Sequence, residues 1–317
     1  MENNLNNPKQ ANVLAVADDE IDLRELFTAI WQGKWIIIAV TTLFAVASVF
    51  YAINQPNIYK SEALLAPTET PKNASLGGLA GQFGSLASLA GVNLSGGGNN
   101  KSQLAIEVLK SRHFISEFIK RHNILADLMA VKEWDSVNNT IVYNSDLYNI
   151  KSKEWTRKVK APFKPIPSMQ EAYKVFIDKS QFISNEDTGM IVVSIEHISP
   201  VIAQQWVSWL VEDINEVMKE RDVTEAKRSS EFLENQLKKT KIADIRVVLY
   251  KLIEEQTKTI MFANVRDEYV FKTIDPAVIP EQKSKPARAM ICILGTMLGV
   301  ILSVFLILVR YFIKRQD

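Results

Sequence analysis

The residues best suited to chemistry in this chain are few and badly spaced for it. Its three histidines, His113, His122 and His197, share no metal-ligand interval, and its single cysteine, Cys292, lies in an apolar run. One cysteine supports neither an internal disulfide nor a thiolate metal site. The segment GGGNNKS at 96–102 has the look of a phosphate loop, but that motif needs Gly directly before the Lys and another Gly five residues earlier. Those places hold Asn100 and Ser95. The G-x-S-x-G, H-E-x-x-H and paired-carboxylate patterns are absent. Asn73, Asn93 and Asn138 begin glycosylation sequons, which matter only in a eukaryotic secretory pathway. No catalytic residue, cofactor or metal is expected, nor a nucleic-acid partner.

Two uncharged blocks dominate the elements around these residues. Trp35 to Ile53 (WIIIAVTTLFAVASVFYAI) and Ala289 to Val309 (AMICILGTMLGVILSVFLILV) each have the roughly 20 residues needed to cross about 30 Å of hydrocarbon. Neither has the polar stripe of a buried core helix. About 34 mostly acidic and polar residues precede the first block, and Tyr51-Ala52-Ile53 is a poor cleavage site, which argues against a signal peptide. Gly295 and Gly299 form G-x-x-x-G in the second block, a spacing that allows close helix approach. Two spans place both termini on one side. Flanking charges do not choose it, and a central region longer than about 60 residues crosses despite its charge; cytoplasmic termini are expected.

Between the spans the pattern is mixed. Residues 1–17 are Asn-rich and expected to be disordered, and DDEIDLRELFTAIWQGKW (18–35) reads as an interfacial helix capped by Asp18 or Asp19. Ile58 to Pro67 and Gly189 to His197 read as strands, and Ser102 to Arg121 and Met169 to Lys179 as helices. Residues 76–98 carry eight of the twelve glycines and read as a flexible loop. Trp134 to Pro167 reads as an irregular or extended insertion, and Tyr269 to Ile279 as a returning strand.

The most informative stretch lies between Pro200 and Pro276, which has neither glycine nor proline. Ser199-Pro200 is a good helix start. Apolar residues then recur at helical spacing through Trp206, Leu210, Ile214, Leu233, Leu237, Ile245, Leu252 and Ile260. A helix over 200–265 would be roughly 100 Å long at 1.5 Å per residue, packed sideways on copies of itself as in a coiled coil. The alternative is two shorter helices folded back as a hairpin, and charge dominates between Arg221 and Thr240, where a break would fall. Pro276, Pro280 and Pro286 stop the last strand and stiffen the entry to the second span.

These pieces together resemble the Wzz chain-length determinant family, the polysaccharide co-polymerases of bacterial O-antigen synthesis. The resemblance rests on EIDLRELFTAIWQGKW before the first span, EHISPVIAQQWVSWLVEDIN opening the long helix, and LIEEQTKTIMFANVRDEYVFKTIDPAVIPEQKSKPARA before the second span. It implies an α+β membrane protein with two transmembrane helices and a periplasmic α/β base domain carrying a very long protruding helix. The implied layout is a cytoplasmic tail with an interfacial helix (1–34), a span (35–53), a periplasmic domain (54–288), a second span (289–309) and a cytoplasmic tail (310–317), in a bacterial inner membrane. It also implies a closed homo-oligomeric ring, commonly octameric, that sets the modal length of polysaccharide made by the Wzy polymerase from undecaprenyl-linked repeats.

On that reading Trp206, Leu210 and Ile214 bury against neighbouring copies, and Gly295 and Gly299 support assembly in the membrane lipid. The charged surface with Arg221, Lys238, Lys239 and Lys241 meets polymer or polymerase. The polymer is O-antigen by default, with enterobacterial common antigen or capsule as alternatives. Related co-polymerases with a tyrosine kinase need a nucleotide domain and a tyrosine-rich tail, whereas Arg310 to Asp317 offers Tyr311 alone. A two-span periplasmic sensor would need an output domain that neither tail supplies.

Overall fold

The computed structural model describes residues 31–68, 97–185 and 187–316, which divide into two units. The expected disordered N-terminus, most of the interfacial helix and nearly all of the glycine-rich loop lie outside the described residues.

One unit is made of the two end helices, α1 (Lys34–Asn54) and α8 (Arg288–Gln316). Their most apolar stretches have mean hydropathies of 2.4 and 2.8 and are only 6% and 17% buried, unlike the mostly buried core helix of a soluble protein. Apolar side chains such as Leu43, Val46, Phe50, Leu294, Leu298 and Phe305 face outward. The hydroxyls of Ser48, Thr296 and Ser303 donate to carbonyls of their own helix, so they need no water. The helices meet at their small residues. A Cβ added at Gly295 would lie 2.5 Å from Cβ of Ser48, and one at Gly299 would lie 2.8 Å from Cβ of Phe44. The G-x-x-x-G pair therefore packs on the chain's own first span, the close helix approach that its spacing allows.

The other unit, 56–286, is built on a four-stranded antiparallel sheet. Its strands are β1 (Tyr59–Pro67), β6 (Ser180–Ser184), β7 (Ile191–His197) and β8 (Phe271–Asp275), in the order β6-β7-β1-β8. Tyr59 faces His197 and Leu65 faces Ile191 across the central pair. Ser61, Ala63 and Leu65 alternate inward along β1, as a half-covered strand requires. The expected 102–121 helix is two: α2 (Gly97–Lys110) and α3 (Arg112–Arg121), divided where Ser111 turns extended and caps the Phe114 amide. A short α4 (Leu125–Met129) leads into two small hairpins, β2 (Val131–Asp135) with β3 (Thr140–Tyr143) and β4 (Tyr148–Asn149) with β5 (Glu154–Trp155). Helix α5 (Met169–Lys179) starts in a capping box between Ser168 and Glu171.

The expected helix over 200–265 is also divided. Helix α6 (Pro200–Lys239) ends at Thr240, and α7 (Ala243–Val265) packs back against it, so the hairpin alternative is the one observed. At 1.5 Å per residue the first arm is roughly 60 Å long and the second roughly 35 Å. Thr240 Oγ1 and its backbone N–H both bond Gln236 O, closing the last turn. The charges agree with a stop and restart: Lys238 and Lys239 sit at the negative end of one helix dipole and Asp244 at the positive end of the next.

His197 joins the sheet to its cover. Its ring is 1 % exposed, with Nε2 donating to Asp127 O at 3.0 Å and Nδ1 accepting from Ser199 N at 2.9 Å. The neutral ring satisfies both contacts, whereas a proton on Nδ1 would remove one. Burial first, and then Lys179, holds its pKa at about 4, below the ordinary 6.5. The unfolded chain takes up this proton as pH falls through 6.5 while the folded chain resists until about 4. Stability should therefore fall across that window, by on the order of 3 kcal/mol if the full shift is realised. Urea unfolding of the wild type at pH 7 and pH 5 should show the loss, and His197→Gln should flatten it; an equal slope in both would refute the assignment.

Candidate functional site

The helical hairpin is the feature with no counterpart in the sheet's own needs. The lower half of α6 is core: Trp206, Val207, Leu210, Ile214 and Met218 are each at most 1 % exposed. They pack with β1 and β7 and with Phe118 and Phe176 from α3 and α5. Trp206, Leu210 and Ile214 are thus buried inside their own domain and cannot be buried again between copies, which corrects their expected role. Each contributes roughly 1.5–3 kcal/mol by burial.

Polar contacts fix the hairpin's root. Asn215 is 5 % exposed, and its Oδ1 accepts from Val270 N at 2.8 Å and Phe271 N at 3.0 Å. Its Nδ2 donates to Phe271 O and Val211 O, both at 3.1 Å, so the amide is fully used. Asp222, about two turns further on, accepts from Tyr269 OH at 2.7 Å and pairs with Lys101 at 2.6 Å. The ammonium of Lys101 also lies 3.8 Å over the Tyr269 ring. Burial, and then Asp222, raises the Tyr269 phenol's pKa. On α6, buried Asp213 receives Arg121 and His122 from the end of α3, each at 3.0 Å, while His122 stacks on Trp209. A buried carboxylate with two such partners is compensated.

Above this root the burial ends. Ala226 on α6 and Ala263 on α7 are 2 % and 0 % exposed, small residues that let the arms approach closely. Beyond Ala226, Phe232, Ile242, Ile245, Val247, Val248 and Tyr250 are all exposed. Lys238, Lys239 and Lys241 are exposed together at the turn of the hairpin. Arg221 is not with them; it lies on the lower arm, roughly 25 Å along the helix from Lys238 at 1.5 Å per residue. There it lines an open groove of about 510 Å³ with Glu220, Thr224, Glu225 and Arg228 among the described residues.

Pro276, Pro280 and Pro286 lie in the extended segment between β8 and α8. In that segment Lys285 O accepts from Ile58 N at 2.9 Å, and Ser284 N donates back to Ile58 O at 2.8 Å. The Lys285–Pro286 peptide is cis. Among the described residues no group of His, Cys, Asp or Glu is arranged to hold a metal ion.

Sequence reasoning missed Asn215, Asp222 and Tyr269, which join residues 47 or more positions apart. A lone polar Asn between Ile214 and Val217 on an otherwise apolar stripe is the signal that could have marked the first.

These features define the chain as a two-span membrane protein whose intervening domain carries a helical hairpin on an antiparallel sheet. Within that class, residues 19–122 match the family described as "Wzz: Chain length determinant protein", and the chain carries that family's domain. Residues 248–312 match "GNVR: G-rich domain on putative tyrosine kinase", a region that spans most of α7, β8 and α8. Among solved structures, the chain is similar to a "full-length bacterial polysaccharide co-polymerase", at 11% identity and TM-score 0.37, over 93% of this chain and 99% of that one. It is also similar to a fragment of the polysaccharide co-polymerase WzzB from Salmonella Typhimurium, at 12% identity and TM-score 0.31, over 72% and 100%. No curated protein sequence matches the chain.

Proposed function

We propose that this chain sets the modal length of lipopolysaccharide O-antigen as a non-enzymatic oligomer in a bacterial inner membrane. On this reading the hairpin domain is periplasmic, the termini are cytoplasmic, and the partners are the Wzy polymerase and its undecaprenyl-linked polysaccharide. The observation that carries the reading is the hairpin above Ala226. It adds nothing to the sheet's core, yet it presents apolar side chains and a basic turn to whatever lies beside it. A lone domain gains no stability by exposing Phe232, Ile245 and Val248. Copies meeting along these arms, in a ring of octameric or similar size, would cover them. Lys238, Lys239 and Lys241 would then stand as a basic rim toward polymer or polymerase. A second reading is that the polymer is another surface polysaccharide such as a capsule, since the matched domain, described on putative tyrosine kinases, names no polymer.

The test is the size distribution of surface polysaccharide in cells lacking the gene and in cells with it restored. The proposal expects a clustered lipopolysaccharide ladder to become unregulated on deletion and to cluster again on restoration. An unchanged ladder with an altered capsule size would select the second reading. No change in either polymer would refute both.

A further inference from the structure

The insertion between α4 and α5 ends in a loop, 157–166, that supplies nothing to the domain's core. Arg157 closes it. Its Nε donates to Pro165 O at 2.7 Å and to Lys164 O at 3.1 Å, and Nη2 donates to Lys164 O at 2.7 Å. Its Nη1 and Nη2 then hold both oxygens of Glu171 on α5, at 2.8 and 3.0 Å. A bidentate guanidinium–carboxylate pair is a geometrically specific clamp. What the clamp presents is basic and apolar. Phe163 and Ile166 are 56 % and 63 % exposed. Lys158, Lys160 and Lys164 stand among them, exposed and without an ion pair among the described residues. No acidic residue occurs between Glu154 and Glu171.

A second surface of the same domain has the matching character and the contrary charge. From β8 the chain runs through 274–281, IDPAVIPE, in which Ile274, Val278 and Ile279 are 49 %, 64 % and 53 % exposed. Asp275 and Glu281 are exposed beside them, again without an ion pair among the described residues. No lysine or arginine occurs between Lys272 and Lys283. This segment is held as firmly as the loop. Ser61 Oγ donates to Val278 O at 2.8 Å, and Gln204 Nε2 donates to Ala277 O at 3.3 Å. Two surfaces fixed in advance lose little freedom on meeting.

The two surfaces belong to different flanks of the sheet. The loop leads into α5, which packs on β6 and β7 and runs directly into β6, one edge strand. Segment 274–281 continues β8, the other edge strand, along β1. Neither surface covers the other, since both are exposed in the copy that carries them. More than two copies arranged about one axis must each offer two different, complementary patches. A basic apolar patch on one flank and an acidic apolar patch on the other meet that requirement: contact removes exposed apolar surface and gives each unpaired charge a partner.

We infer that copies of this chain join head to tail through this domain, the clamped loop 157–166 of one copy seated on the 274–281 edge of the next. Lys158, Lys160 and Lys164 then face Asp275 and Glu281, while Phe163 and Ile166 meet Val278 and Ile279. The contact rests on the oligomeric reading proposed above and is separate from the hairpin arms.

The test uses the full chain with Cys292→Ser in cell membranes, carrying Ala161→Cys in the loop and Gln282→Cys just past the acidic segment, treated with a short bis-maleimide. The double-cysteine chain should give covalent dimers and higher multimers, and either cysteine alone should not. Lys158→Glu, Lys160→Glu and Lys164→Glu together should lower the linked fraction by roughly tenfold, because like charges then face each other. Adding Asp275→Lys and Glu281→Lys to that chain should restore linkage, which a merely misfolded variant would not do. Arg157 and Glu171 stay intact throughout. Linkage that ignores the charge reversal would overturn the inference, as would a link formed only within one chain. No linkage, with the loop cysteine shielded from a water-soluble maleimide, would mean that a different occupant covers the loop; no linkage with that cysteine open would leave it uncovered. Either result overturns the contact. The mass of the purified particle reads assembly separately: an oligomer that lacks the loop-to-edge link removes this contact and leaves the proposed function standing.

Discussion

Replacing Asn215 with leucine is expected to lower the melting temperature of the full chain by roughly 10 °C, and to do so by opening the hairpin's root. The substitution leaves the amide groups of Val270 and Phe271 and the carbonyl of Phe271 without their side-chain partner in a buried place. Each orphaned group costs about 1–3 kcal/mol, so a total near 4 kcal/mol is reasonable. For a unit of this size each kcal/mol moves the midpoint by about 2–4 °C. Leucine also forces a larger apolar group between α6 and the start of β8, so no compensating fit is available. Thermal unfolding in detergent, with hydrogen exchange of the Val270 and Phe271 amides, would check both parts. An unchanged midpoint with unchanged protection would contradict the clasp.

That residue also shows where the sequence stops being informative. The spans, β1, β7 and α5 were legible because their signals are local: uninterrupted apolarity, alternation, and a capping Ser168 with Glu171 three residues on. The hairpin was less so. Apolar spacing through 200–265 continues across Thr240, and periodicity alone cannot tell a helix that continues from one that restarts. Glycine and proline, the usual marks of a break, are absent. The charge order was the available sign, with Lys238 and Lys239 ending one dipole and Asp244 opening another.

The candidate site divides in the same way. Lys238, Lys239 and Lys241 are close in sequence and share the hairpin turn, so their grouping could be read directly. Trp206, Leu210 and Ile214 lie on a true apolar stripe, but a stripe does not say whether it meets a sheet of the same chain or a second copy. Here the sheet takes it. Gly295 and Gly299 carry the same ambiguity, and the neighbour proves to be the chain's own first span. Asn215 with β8, and Arg157 with Glu171, depend on partners that only folding brings together.

The largest functional effect should come from the hairpin itself. If the arms above Ala226 measure or transmit chain length, removing them should abolish control while leaving the domain folded, because the core ends below them. The arms can be shortened by replacing residues 230–258 with a short glycine-containing turn. Ala226 and Ala263, the Asn215 clasp and the Asp222–Tyr269–Lys101 cluster all remain. The exposed apolar residues Phe232, Ile245 and Val248 and the basic turn are all lost. A nearby control, Lys238→Glu with Lys239→Glu and Lys241→Glu, keeps the arms and reverses the turn's charge. It should shift the modal length if the rim meets polymer or polymerase.

The most direct measurement is the lipopolysaccharide ladder of deletion cells restored with the shortened chain, at membrane levels matched to wild type. The account predicts that the shortened chain accumulates and melts like the wild type but yields an unclustered ladder, as in the deletion. A clustered ladder with the wild-type mode would contradict it and place length control in the base domain or the spans.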